Sequence, residues 1–147
     1  MPTARALQGH RVLLVDQRGH GRSTRRPDDL SRAAFVGDVV AVMDACAPGE
    51  RCFLVGQSMG AHTAFLTSAM HPDRVGGLVM LEGEVAGSGD PEETATVGRW
   101  FASWPIPFPV EAAARVFLGE DAIVDAWIAD PEATQQGLMP RFDADVM

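Results

Sequence analysis

Three short apolar runs punctuate the first half of the chain: Val12–Val15, Cys52–Val55 and Leu78–Leu81. None is broken by polar alternation, which fits strands covered on both faces, as in a parallel sheet. Between the first two, Phe35, Val36, Val39, Val40, Met43 and Cys46 recur at three- and four-residue spacing and predict a helix over about 32–47. Ser31 stands at its N-cap position, and Pro48-Gly49 stops it. A further helix is predicted over about 59–70, ended by Pro72, and residues 3–8 read as the end of a short helix with Gly9 as its stop.

Strand, helix, strand, helix, strand in this order predicts an α/β fold with a parallel sheet and right-handed crossovers. After Gly83 the pattern changes. Gly87–Pro91 reads as a hinge-like linker, and three helical stretches follow near 92–104, 110–118 and 121–129, with no further strand expected. Charge shifts in parallel. Residues 1–74 carry nine arginines against seven acids, a net of +2, whereas 75–147 carry three against thirteen, a net of −10. Two structural parts are therefore expected, 1–84 and 85–147.

Composition narrows the function. At 147 residues and 46% hydrophobic, the chain is about one domain and apolar enough to bury a core, which excludes general disorder. No apolar run approaches a membrane span and no secretory h-region is evident, so a cytoplasmic protein without membrane partners is expected. The net charge of −8 argues against nucleic-acid binding. Lysine is absent, which excludes a P-loop. Cys46 and Cys52 form no C-x-x-C, so neither a disulfide framework nor a zinc knuckle is indicated, and no metal or organic cofactor is expected.

The segment with chemical content is Gly56-Gln57-Ser58-Met59-Gly60, set between an apolar strand and a helix. A strand turning this sharply into a helix forces the residue at the apex into strained backbone angles and leaves its hydroxyl exposed. Side chains at Gly56 and Gly60 would collide in so tight a turn. Ser58 is thus the candidate nucleophile, and the Met59 N–H, at a helix N-terminus, the candidate oxyanion donor. A second segment, Asp16-Gln17-Arg18-Gly19-His20-Gly21-Arg22-Ser23, also follows an apolar run. It fails as a dinucleotide fingerprint because position 24 is Thr and the loop continues through Arg25-Arg26-Pro27 where a helix should open.

Together, Val15–Ser23, Val55–Gly60 and His71-Pro72-Asp73-Arg74-Val75 resemble the α/β-hydrolase superfamily over about residues 3–84. The resemblance implies a partial hydrolase sheet with an architectural loop at 16–23, Ser58 as nucleophile, the Met59 amide as one oxyanion donor, and 85–147 as the start of a helical cap. Family members place an acid and then a histidine after the nucleophile. Here the last histidine is His71, on the helix leaving Ser58, so the catalytic histidine and the acid are expected outside this chain, as in a truncated copy or fragment. His62, one helical turn beyond Ser58, reads as packed on its helix, and His10 and His20 flank the first apolar run. Glu82, with Glu84 beside it, is the candidate acid within the chain, since some relatives carry the acid after this strand. Gln57, Trp100, Trp104 and Phe108 are candidates for substrate contact, although the aromatic residues read more simply as the core of a cap. Arg22, Arg25 and Arg26 read as a solvated loop. The expected activity is two-step hydrolysis of an ester, amide or related carbonyl by a serine nucleophile, slow in this chain alone. The alternative is a non-catalytic interaction module, and open sheet edges would favour self-association.

Overall fold

A computed structural model describes residues 2–83, 85, 90–129, 131–144 and 146. The chain forms α1 (Pro2–Ala6), α2 (Arg32–Cys46), β1 (Cys52–Gln57), α3 (Met59–Met70), β2 (Val75–Leu81), α4 (Pro91–Ala102), α5 (Glu111–Leu118), α6 (Ala122–Ile128), β3 (Glu132–Thr134) and β4 (Gly137–Met139). It divides into two compact units, residues 27–97 and residues 1–26 together with 98–147. The expected linker at Gly87–Pro91 lies mostly outside the described residues, as does Glu84.

In the unit 27–97, β1 and β2 pair in parallel, with Leu54 opposite Leu78 and Gln57 opposite Leu81. The helix α3 packs on both strands and α2 packs on α3. The predicted cap is present: Ser31 Oγ accepts from the Ala34 N–H at 3.2 Å. The core is built from Phe35, Val36 and Met43 of α2 with Ala61, Thr63, Ala64 and Thr67 of α3. Two buried threonines there remain satisfied because each hydroxyl donates one turn back, Thr63 to the Met59 carbonyl at 3.1 Å and Thr67 to the Thr63 carbonyl at 2.8 Å. Small side chains let α3 lie close to the sheet, and Ala61 has no exposed surface at all.

Two expectations about strands are corrected. Continuous apolar runs predicted strands covered on both faces, yet exposure alternates along β1, and Phe53, Val55, Val79 and Leu81 are exposed. The reason is layer count: helices pack on one face of a two-stranded ribbon, and among the described residues no element of this unit is seen to cover the other. Val12–Val15 forms no strand, and Leu14 is 62% exposed. A run of high strand propensity becomes a strand only through a partner that takes its backbone groups, and no described strand pairs with it. Helix α1 also ends earlier than expected, at Ala6, although Gly9 has the positive φ of a stop residue.

In the other unit, Trp104, Phe108 and Ala114 form a buried cluster, with Phe101, Ile106, Leu118, Ile128, Leu138 and Phe142 around it. The antiparallel hairpin β3–β4 corrects the expectation of no strand beyond Leu81. Strands of three residues carry too little periodicity to be read. This hairpin is fixed instead by Gly137, at φ +138°, where a side chain would strike the Phe108 carbonyl. The Leu138 and Phe108 backbones exchange hydrogen bonds at 2.7 and 2.9 Å. The 16–23 loop closes on itself, with Asp16 accepting from the Arg22 N–H at 2.9 Å and its carbonyl from Ser23 Oγ at 2.6 Å. It is tied to the C-terminal segment by Gly21 N–H to the Arg141 carbonyl at 2.7 Å. Arg25 and Arg26 are not simply solvated, since they pair with Glu132 and Asp143.

Replacing fully buried Ala61 by Leu is expected to overpack the contact of α3 with the sheet and lower stability by about 1–3 kcal/mol. The measurement is the urea midpoint at unchanged slope.

Candidate active site

The strand β1 ends at Gln57 and the helix α3 begins at Met59, so Ser58 is the single residue between them. Its backbone lies at φ 50°, ψ −119°, a region L-residues rarely occupy and one that costs about 1–3 kcal/mol. The surroundings enforce it from three sides. The Ser58 N–H donates to the Leu81 carbonyl of β2 at 2.9 Å, which fixes the end of β1 to its neighbour. The Ser58 carbonyl accepts from the His62 N–H at 3.1 Å, the first bond of α3. A side chain at Gly56 would run into the Gly60 carbonyl, so the expected steric demand is confirmed at that position.

Ser58 occupies the N-cap position of α3 but makes no side-chain capping bond, in contrast to Ser31 at the head of α2. Its side chain is exposed. An N-cap serine ordinarily ties its hydroxyl to the helix; at Ser58 the backbone angles forgo that tie and leave the oxygen available. The Met59 N–H, as first donor of α3, has no helical carbonyl to bond, and among the described residues no backbone carbonyl outside the helix takes it. The candidate nucleophile and the candidate oxyanion donor are thus adjacent in sequence, at the positive end of a twelve-residue helix.

Glu82 follows β2 directly and has a left-handed backbone of its own, at φ 49°. Its Oε2 accepts from Gln57 Nε2 at 2.8 Å, so the two candidates are brought together, with Gln57 turned to Glu82. This bond was not foreseen. The signal available was the pairing of two runs that end at Gln57 and Leu81; nothing in the residue type of Glu82 announces a positive φ. Of the histidines of this unit, His71 caps the far end of α3, about 18 Å from its start by helical rise, and His62 is half-buried on the helix.

The remaining candidates belong to the other compact unit. Trp104 and Phe108 are 6% and 4% exposed and hold its core, whereas Trp100 is 39% exposed. Rings of Trp100, Phe101, Trp104 and Trp127 meet at centroid distances from 4.8 to 6.4 Å. A cavity of about 20 Å³, the room of roughly one water molecule, is bounded by residues including Trp104, Phe108, Trp127 and Leu138. His20 Nδ1 donates to the Arg18 carbonyl at 3.1 Å within the 16–23 loop.

Comparison with known proteins identifies the fold. Residues 2–115 match a family model described as the alpha/beta hydrolase fold. An epoxide hydrolase B of Mycobacterium tuberculosis is 42% identical over 88 residues, 58% of this chain and 24% of that protein. A 2-hydroxy-6-oxononadienedioate/2-hydroxy-6-oxononatrienedioate hydrolase of Burkholderia vietnamiensis is 41% identical over 89 residues, 60% of this chain and 30% of that protein. The crystal structure of E-2-(acetamidomethylene)succinate hydrolase superposes with a TM-score of 0.76 at 22% identity, over 89% of this chain and 50% of that one. The chain therefore spans about a quarter to a third of the curated relatives and half of the solved structure.

Because the turn is held against its own preference, Ser58→Gly is expected to raise stability by about 1 kcal/mol, and Gly56→Ala to lower it by about 2 kcal/mol or more. Thermal melts of the two variants beside the parent check both signs.

Proposed function

As this chain belongs to the alpha/beta hydrolase fold family, we propose that it carries the nucleophile elbow of a serine hydrolase acting on an ester, amide or related carbonyl. The observation that carries the reading is Ser58 itself: a non-glycine residue at φ 50° between strand and helix, exposed, with its hydroxyl unused by the helix it heads. Strain of this kind persists only where the surroundings impose it, and an exposed hydroxyl is what a nucleophile requires.

In the proposed reaction Ser58 Oγ attacks the carbonyl carbon while a histidine takes its proton. The Met59 N–H stabilises the tetrahedral oxyanion, the leaving group departs with the proton, and water then releases the acyl group. The histidine and its acid are assigned to polypeptide outside these 147 residues, since His62 and His71 ride on the helix that leaves Ser58. Residues 1–84 would supply the catalytic core and 85–147 a helical cap, in a cytoplasmic protein that needs no cofactor. Of the aromatic candidates, Trp100 keeps the most accessible ring for an apolar substrate group, while Trp104 and Phe108 hold the cap together. The names of the relatives support hydrolysis in general and do not select among substrates. Loss of the triad histidine costs on the order of 10⁶-fold in a serine protease, so turnover by this chain alone is expected to be very slow.

One observation favours a second reading. Phe53, Val55, Val79 and Leu81 form an exposed apolar face on a two-stranded sheet, which suits self-association.

A fluorophosphonate probe is expected to label the wild-type chain slowly and to spare Ser58→Ala; equal labelling of both would refute the nucleophile. Sedimentation is expected to show a mass that rises with concentration and falls back towards the monomer in Phe53→Ser; a monomer throughout would refute self-association.

A further inference from the structure

We propose that Gln57 and Glu82 form a clamp across the ends of β1 and β2, with Glu82 as a positioning residue that holds the Ser58 turn in its nucleophilic geometry. The inference rests on the reading of Ser58 as nucleophile and adds the part that holds it. Each strand is followed directly by a residue of positive φ, Ser58 at 50° and Glu82 at 49°, and in each case the side chain is one that disfavours this region. Two such residues on adjacent strand ends need a restraint between them. The backbone supplies one bond, Ser58 N–H to the Leu81 carbonyl. The side chains supply another, Gln57 Nε2 to Glu82 Oε2 at 2.8 Å. A third contact follows along the chain. Gly83 lies so close to α3 that an added Cβ would strike the Ala61 side chain and come within 3.3 Å of the Ser58 carbonyl. The end of β2 therefore braces the turn through Leu81, Glu82 and Gly83 in succession.

The chemistry of the clamp is asymmetric. A carboxylate is an acceptor only, so it takes the amide NH₂ of Gln57 and cannot donate to the Ser58 carbonyl. A hydrogen bond to a charged acceptor is also stronger than one between neutral groups. Glu82 thereby acts on the reaction through Gln57 and the backbone of Ser58, not by contact with substrate.

Amide hydrogen exchange at Ser58 in the full chain tests the clamp without any need for turnover. Gln57→Glu sets two carboxylates against each other and is expected to speed Ser58 exchange about fivefold, the loss of one hydrogen bond of ordinary strength. Exchanging the partners, Gln57→Glu with Glu82→Gln, restores an amide–carboxylate bond and should return the rate to that of the parent. Exchange unchanged in Gln57→Glu, or no recovery in the exchanged pair, would overturn the clamp. Fluorophosphonate labelling of the parent decides the nucleophile separately. Where it occurs, it should slow in Gln57→Glu and recover in the exchanged pair, and recovery of exchange without recovery of labelling would overturn the positioning role.

Discussion

One backbone conformation organises the unit of residues 27–97: Ser58 held at φ 50° between β1 and α3. Its cost is met by interactions spread over neighbouring elements. The Leu81 carbonyl of β2, the first turn of α3 and the absence of a side chain at Gly56 all act on the same turn. The parallel pairing of β1 with β2 is what brings Leu81 opposite Gln57 and places the accepting carbonyl one residue from the strained site. Packing then serves the same end. Ala61 and Ala64 are small and Thr63 and Thr67 spend their hydroxyls within the helix, so α3 can lie flat on both strands. Were α3 displaced by larger side chains, the close approach of Gly56 to the Gly60 carbonyl would open and the strain at Ser58 would relax.

Much of this unit is legible in the residues because its determinants are local. The capping oxygen of Ser31, the period of Phe35, Val36 and Met43, and glycines spaced around a serine each report on contacts made within a few residues. The match over residues 2–115 to the alpha/beta hydrolase fold agrees with that reading of the fold. What escaped is non-local. Val12–Val15 has the composition of a strand, but strand formation belongs to a pair, and propensity says nothing about whether a partner is present. The β3–β4 hairpin has the partner but only three residues a side, held together by Gly137 against the Phe108 carbonyl. Next to the left-handed Glu82, Gly83 packs on Ala61, a contact between residues 22 positions apart.

The unit containing the C-terminal half depends on a different principle. Its helices α5 and α6 have eight and seven residues, too short to be stable in isolation. They are held by aromatic packing around Trp104 and by end contacts. Asp121 caps α6 through the Ile123 and Val124 N–H groups, and Arg115 joins Glu111 to Asp125. Those two carboxylates raise the Arg115 pKa, Asp125 contributing most, and the pairing is exposed. Surface ion pairs of this sort orient helices more than they stabilise them. In a segment with a net charge of −10 over residues 75–147, Arg115 thus sets one positive charge between two acids.

Strain at one residue and exposure of an apolar sheet face are linked through the layer count of the unit. The strained turn at Ser58 stands where the strand stops and the helix has not yet closed over it. A two-stranded ribbon with helices on one face leaves Phe53, Val55, Val79 and Leu81 to solvent. Each of these side chains would contribute roughly 1.5–3 kcal/mol if fully covered. The turn itself does not need that cover, because its restraints come from β2 and α3. The chemistry-bearing geometry and the stability of the sheet therefore draw on different interactions, so a polar residue at Phe53 would change how the sheet face meets other surfaces while leaving the contacts that hold Ser58 in place.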